Sequence, residues 1–193
     1  MSVYIRPAPL RAPTSHRPHH QFGDHPSAQR ILDRLTEVPT CPCDAAWNVL
    51  TGNRRWLAFN CGAATADGRD RNMAWRTFTD APSTVFRSAG HLNSFRAAIV
   101  AGLRAAARRY PTDPELRSLV RDLHEVSGNF AGLWDAKGQP QNEGDQLTVD
   151  DPDLGRFTLD TDVLTVEPGD LRVVVLSAPV NSPDASRLAA ITG

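Results

Sequence analysis

The chain has 193 residues, 40% of them hydrophobic and 22% charged, with a formal net charge of −1. That is enough for one domain with a sizeable core and too little for two generous ones, and the balance is that of an ordinary soluble globular protein. No apolar run approaches the roughly 20 residues of a membrane span, and the N-terminus has no apolar segment resembling a secretory signal, so the cytoplasm is the expected compartment.

Residues 1–26 hold five of the 15 prolines and show no apolar periodicity, which predicts an extended arm. A helix is predicted over 27–36, with Ser27 as N-cap and Ile31, Leu32 and Leu35 on one face. Pro39 and Pro42 then break the chain. Three cysteines, Cys41, Cys43 and Cys61, do not make a disulfide framework. Cys41-Pro42-Cys43 lies downstream of His16, His19, His20 and His25, but the C-x₂₋₄-C pairing of structural zinc sites is absent, so reduced thiols and no metal are expected. Trp47-Asn48-Val49-Leu50 reads as a strand closed by Thr51-Gly52-Asn53, and Asn53 is placed to cap a short helix carrying Trp56, Leu57 and Phe59.

A loop over 62–68 follows, after which Asp70 is placed to cap a helix presenting Met73, Trp75 and Phe78. From Ser88 to Arg109, Leu92, Phe95, Ile99, Leu103 and Ala106 recur at three- and four-residue steps, the pattern of a long amphipathic helix, with Arg96, Arg104 and Arg108 on the other side. Thr112 or Asp113 caps a second long helix with Pro114 in its first turn, where the missing N–H costs nothing. Its stripe runs through Leu116, Leu119, Val120, Leu123, Val126, Phe130, Leu133 and Trp134. Two long helices joined by so short a break are expected to pack as an antiparallel pair.

Charge and texture change together near residue 135. Residues 1–134 carry 17 Arg against 11 acids, or +6, and residues 135–193 carry 4 basic residues against 11 acids, or −7. Because the arginines are scattered among acids and apolar positions, the split is read as helices beside an Asp-rich sheet and not as a nucleic-acid face. Strands are predicted over 146–149, 156–160, 163–167 and 171–178, separated by Asp-Pro, Asp-Leu-Gly and Pro-Gly-Asp turns. The run Val173-Val174-Val175-Leu176 is apolar on both faces, which places it centrally, and a short helix over 182–191 ends the chain. One early strand, a block of helices and a closing antiparallel sheet make an α+β fold, the order in which PAS domains are built.

No catalytic pattern emerges. His124, Glu125 and Ser127 do not form a nucleophile–base–orienter line on a helix, Asp150, Asp151 and Asp153 lack EF-hand spacing, and no G-x-S-x-G or H-E-x-x-H motif appears. The expectation is that the chain is not an enzyme.

Several blocks in order carry a resemblance: Leu32, Asp33 and Leu35 leading into Val38-Pro39-Thr40; Trp47, Val49, Leu50 and Asn53; Arg71-Asn72, Trp75 and Phe78; Leu116, Leu119 and Val120; Ser127, Phe130, Leu133 and Trp134; and Asp151-Pro152, Gly155, Phe157 and Leu159. Over about 27–193 the chain resembles the ligand-binding domain of MmyB-like transcription regulators, a PAS-like sensor that follows a helix-turn-helix. Where that family usually has His-Pro, this sequence has Asp151-Pro152, and Cys41 and Cys43 fall in a segment that is usually apolar. Residues 1–26 cannot encode a helix-turn-helix, so the expectation is a sensor without its DNA reader.

The resemblance implies a cytoplasmic regulator domain of PAS-like fold, an antiparallel sheet under a helical layer, that binds a fatty acid or another apolar acyl compound. It implies no cofactor beyond such a bound fatty acid, a homodimer, and no direct DNA or membrane binding by this chain. The residues expected to line the cavity are Trp56, Phe59, Arg71, Asn72, Trp75, Phe78, Phe95, Ile99, Phe130 and Trp134, with Arg71 and Arg76 as candidate partners of a carboxylate. The alternative is a dimerisation or protein-interaction domain whose interior is filled by its own side chains.

Overall fold

A computed structural model describes residues 33–59, 66–136, 145–166 and 171–191. The expected arm and most of the helix predicted over 27–36 lie outside the described residues, and residues 33–36 within them form a turn and coil. Five antiparallel strands, β1 (Thr40–Cys43), β2 (Val85–Phe86), β3 (Asp145–Asp151), β4 (Gly155–Val166) and β5 (Leu171–Ser177), form one sheet in the order β1-β5-β4-β3-β2. Between the early strand and the last three lie the helices α1 (Arg54–Ala58), α2 (Met73–Phe78), α3 (Ala89–Arg109), α4 (Pro114–Val126) and α5 (Gly128–Asp135), and α6 (Pro183–Ala190) follows β5. This is the α+β, PAS-like arrangement expected.

The period-two alternation of the strands decides where the core sits. Leu147, Val149, Phe157, Leu159, Val174 and Leu176 share one face and join Phe95, Ile99, Leu103, Leu123 and Phe130 of the helices in the main core. Leu171 and Val173 face the other way, against Leu50, Val166 and Val175. Both faces of β5 are thus buried, and it lies inside the sheet between β1 and β4, one place from the edge and not at the centre expected.

Three sequence expectations are corrected. The first strand is β1, upstream of the predicted 47–50, which makes only the single bridges Cys43–Val49 and Asn48–Asn72. The chain reverses there because one Asp44 oxygen accepts from the Ala46 and Asn48 N–H groups, each at 2.9 Å, and Trp47 sits in the left-handed region at φ 68°. Pro42 is tolerated in β1 because Thr40 and Pro42 turn their carbonyls away from β5, accepting from Asn53 and Leu50 N–H, so the missing donor falls on the outer edge. The second long helix is two helices. Ser127 is extended (φ −133°, ψ 105°) and its hydroxyl caps α5 by accepting from the Phe130 N–H, which leaves Val126 exposed. The segments predicted over 156–160 and 163–167 are one continuous strand, β4.

The expected caps at Asn53 and Asp113 form, and Ser88 and Ser182 cap two further helices. Asn53 accepts from Trp56 N–H at 2.9 Å, Ser88 from His91, Asp113 from Leu116 and Ser182 from Ala185. The exception is α2, whose cap is Asn72 and not Asp70, which belongs to a 3₁₀ turn over Gly68–Arg71. Asn72 is 1% exposed; its Oδ1 accepts from Trp75 N–H at 2.9 Å, and its amide nitrogen donates to the Ala46 carbonyl at 2.7 Å and to Asn48 Oδ1 at 2.9 Å. Arg71 donates to the Val49 and Leu50 carbonyls. The segment before α2 is thereby sewn to the turn after β1.

Other arginines hold backbone in the same manner. Arg55 donates to the Leu188, Ala189 and Ile191 carbonyls at the end of α6, and Arg104 to the Leu133, Trp134 and Ala136 carbonyls at the end of α5. A cation there meets the negative end of the helix dipole. Arg172 reaches the Asp44, Ala45 and Gly102 carbonyls and lies over the Trp47 ring at 5.0 Å. Gly102 suits that approach, because a Cβ there would lie 3.0 Å from both the Arg172 guanidinium and the Trp47 indole nitrogen and would push them back.

Replacing Asn72 by alanine removes a cap and strands one buried and one partly buried acceptor, so a loss of about 2–4 kcal/mol is expected in urea denaturation; a loss below about 0.5 kcal/mol contradicts the role given to this amide. A second expectation concerns Asp122, whose carboxyl is held below the ordinary carboxylate range chiefly by the hydrogen bond from Arg69, with the Arg69 charge and Arg121 adding to it against desolvation. A depressed carboxylate contributes stability above its unfolded pKa and loses it as pH falls through the folded value. Arg69→Met therefore flattens the fall in stability below about pH 4 and raises the Asp122 pKa read by NMR; an unmoved Asp122 titration contradicts the assignment.

Candidate functional site

A cavity of about 590 Å³ opens between the helical layer and the inner face of the sheet, within the usual size range of small-molecule sites. Leu147, Val174 and Leu176 are its sheet wall, and Trp56, Leu92 and Phe95 close it from α1 and α3. Helix α2 contributes Met73, Arg76 and Thr77, the i, i+3 and i+4 positions of one helical face, while Ala74 and Phe78 bury the other. The rest of the rim is one piece of chain, Asp80–Ser83 and Val85–Arg87, ending beside the half-exposed ring of Phe86.

The charges on this wall differ in how they are satisfied. Arg87 is paired with Asp145 through Nε and Nη2 at 2.9–3.0 Å, both side chains are less than 15% exposed, and its guanidinium covers the Phe95 ring at 3.9 Å. Asp80 is paired with Arg96 of α3 at 2.9 Å. Arg76 donates to the Pro82 carbonyl at 2.8 Å and forms no ion pair with any acid among the described residues. Of the three charged groups on the cavity wall, Arg76 is thus the one whose charge is unmatched by a neighbour among those residues.

Of the ten residues expected to line a cavity, Trp56 and Phe95 are on this wall. Ile99 is fully buried in the main core with Phe95, and Trp75 packs half-buried against it. Phe59 is buried, and its carbonyl accepts from the Thr84 hydroxyl at 2.9 Å. Arg71 and Asn72 are committed to backbone carbonyls, as described above. Phe78, Phe130 and Trp134 gather elsewhere: Phe78 meets Phe130 edge-on at 5.1 Å and Phe130 stacks on Trp134 at 5.4 Å. Trp134 also borders a second groove of about 560 Å³, with Tyr110, Leu116, Val120 and His124. The rings therefore divide between a cavity and an interlocked aromatic cluster.

The lining that sequence reasoning missed is of two kinds. Met73 and Thr77 carried a usable signal, the helical face they share with Arg76, which was expected as a carboxylate partner, and so did Leu147, Val174 and Leu176 through strand alternation. Ala81, Pro82 and Ser83 carried none, because their place on the rim depends on how the chain between α2 and β2 folds back.

The candidate catalytic and metal-binding groups have structural partners. Ser127 is a helix cap, His124 lies 3.6 Å from Asp135, and Asp151 accepts from the Asp153 and Leu154 N–H groups in the turn that Gly155 closes at φ 71°. Cys41 and Cys43 are buried thiols with Sγ atoms 3.9 Å apart. Among the described residues no three His, Cys, Asp or Glu side chains are grouped to hold a metal ion, and no helix is long and apolar enough to cross a membrane.

Residues 25–191 match the model of one protein family, described as the MmyB-like transcription regulator ligand binding domain. No curated protein shows significant similarity to the chain.

The division of the rings has a measurable consequence. Phe130 is 0% exposed and locked between two aromatic neighbours, so Phe130→Ala is expected to cost about 3–5 kcal/mol in thermal or urea unfolding. Trp56 lines the cavity and its indole N–H is buried without a partner, so Trp56→Phe forfeits no hydrogen bond and is expected to cost about 1 kcal/mol or less. Equal losses from the two variants would mean that Trp56 is packed as tightly as Phe130 and does not border open space.

Proposed function

The chain belongs to the MmyB-like family of transcription-regulator ligand-binding domains, and from that premise we propose that its cavity takes a fatty acid or a similar acyl carboxylate. The observation that carries this reading is Arg76. Its guanidinium stands on a wall otherwise dominated by Trp56, Met73, Val85, Leu92, Leu147, Val174 and Leu176, and its present partner is a neutral carbonyl. A carboxylate would replace one neutral acceptor by a charged one, which is the stronger bond, while its chain would displace water from apolar surface.

The sensor acts by population shift: an acid that prefers one arrangement of the wall enriches that arrangement. In this reading the domain works in the cytoplasm as a homodimer, and an attached or partner DNA-binding unit reads the change, since regulators of this kind read paired half-sites. The domain itself makes no DNA contact.

Solvent extraction of the purified protein, with native mass spectrometry alongside, is expected to yield a stoichiometric acyl acid. Losing a hydrogen bond to a charged group costs about 1.5–3 kcal/mol, or about 10- to 100-fold in affinity. Arg76→Met should therefore weaken binding of hexadecanoate by about that factor and leave the matching alcohol within about twofold. Equal weakening of acid and alcohol would remove Arg76 from its role as head-group partner.

A further inference from the structure

Residues 79–87 contribute seven of the cavity's sixteen lining residues, anchored at one end by the Arg87–Asp145 pair and at the other by the Thr79 N–H and hydroxyl, both donating to the Trp75 carbonyl. Strand β2 is only two residues long, pairing Val85 with Val149 and Phe86 with Thr148. Ahead of it, Ala81 N–H donates to the Arg76 carbonyl at 3.1 Å, the Thr84 hydroxyl to the Phe59 carbonyl at 2.9 Å, and Arg76 to the Pro82 carbonyl at 2.8 Å. Asp150 N–H donates to the Thr84 carbonyl at 3.4 Å, and one further tie is ionic. Arg96, 12% exposed and fixed on α3, donates to Asp80 Oδ1 at 2.9 Å and to the Thr77 carbonyl at 3.2 Å. Its partner carboxylate is 82% exposed, on a residue held at φ 48°.

We propose that Thr79–Thr84 is a lid over the cavity, latched by the Arg96–Asp80 ion pair and loosened when a bound carboxylate takes Arg76 from the Pro82 carbonyl. The proposal rests on the acyl-carboxylate reading of the cavity for its trigger, but the latch itself is a property of the protein without ligand. One side of the latch is rigid, because Arg96 belongs to a 21-residue helix and is largely buried. The other side is a solvent-washed carboxylate on a loop in a left-handed conformation that non-glycine residues adopt at a cost. Such a pair is screened by salt, so it yields readily. Arg76 links the two events, since the guanidinium that meets a head group is the one that ties the lid to α2.

The test combines exchange and binding. In the protein without ligand, Arg96→Met is expected to speed amide hydrogen exchange over 79–84 by about threefold or more. Asp80→Asn, changed at the exposed end where folding is not at stake, should do the same. In stopped flow with cis-parinaric acid, Arg96→Met should raise the association and dissociation rates together and leave the equilibrium affinity within about twofold. Raising NaCl should speed the wild type and leave Arg96→Met unchanged. Unchanged exchange in both variants overturns the latch. Parinaric acid bound at unaltered rates overturns the lid and leaves the acyl-carboxylate reading standing. Faster exchange with no parinaric acid bound supports the latch while overturning the carboxylate trigger.

Discussion

One buried amide, that of Asn72, fixes the geometry on which the cavity depends. A side chain 1% exposed must satisfy its own donors and acceptor inside the protein. Asn72 does so by bonding the turn after β1 with its nitrogen and the first turn of α2 with its oxygen. Those bonds set both the origin and the rotation of α2. With the helix started at Met73, the positions Met73, Arg76 and Thr77 face the cavity while Ala74 and Phe78 face the core. A helix capped one or two residues earlier, as the position of Asp70 suggests, would turn the face by about 100–200° and carry Arg76 away from the space it borders.

The uneven charge of the sequence has its explanation in the same economy of backbone bonding. Arg55, Arg71, Arg104 and Arg172 spend their guanidinium groups on main-chain carbonyls, and Arg87 pairs across the two halves of the chain with Asp145 of the sheet. Guanidinium suits this work because its planar fork offers several donors and is less strongly hydrated than an ammonium. Within residues 1–134, Arg55, Arg71 and Arg104 thus serve the backbone and Arg87 the sheet.

Much of the fold was legible because local physics and tertiary packing agree there. The three-and-four spacing from Leu92 to Ala106 marks a buried helix face, and the caps at Asn53 and Asp113 follow from backbone N–H groups that have no other partner. The double-sided apolar run of β5 follows from strand alternation. The failures fall where two signals compete. Pro42 argued against a strand, yet its missing donor falls on an outer edge. Ser127 lay within a helical stripe, yet its hydroxyl serves a new helix start better than a helix interior. The site was less legible. A large ring in a helical stripe reports burial, and burial is the same whether the ring meets another ring, as Phe130 meets Trp134, or open space, as Trp56 does.

What distinguishes the two cases is the company each ring keeps. The aromatic cluster is built from α2, α5 and the guanidinium groups of Arg96 and Arg104 over Phe78 and Trp134. All of these are anchored in helices, so side chains can interlock to the density of a protein interior. The cavity's wall is completed instead by a short strand and the loop ahead of it, which offer few side chains large enough to fill the space: Ala81, Pro82 and Ser83 are small. A gap left there has no partner atoms on one side and forfeits their dispersion contacts, an expense that a binding protein recovers when an apolar guest supplies them. The same small, lightly tied residues that leave the space empty are those best able to move aside to fill it, so emptiness and access arise from one stretch of sequence.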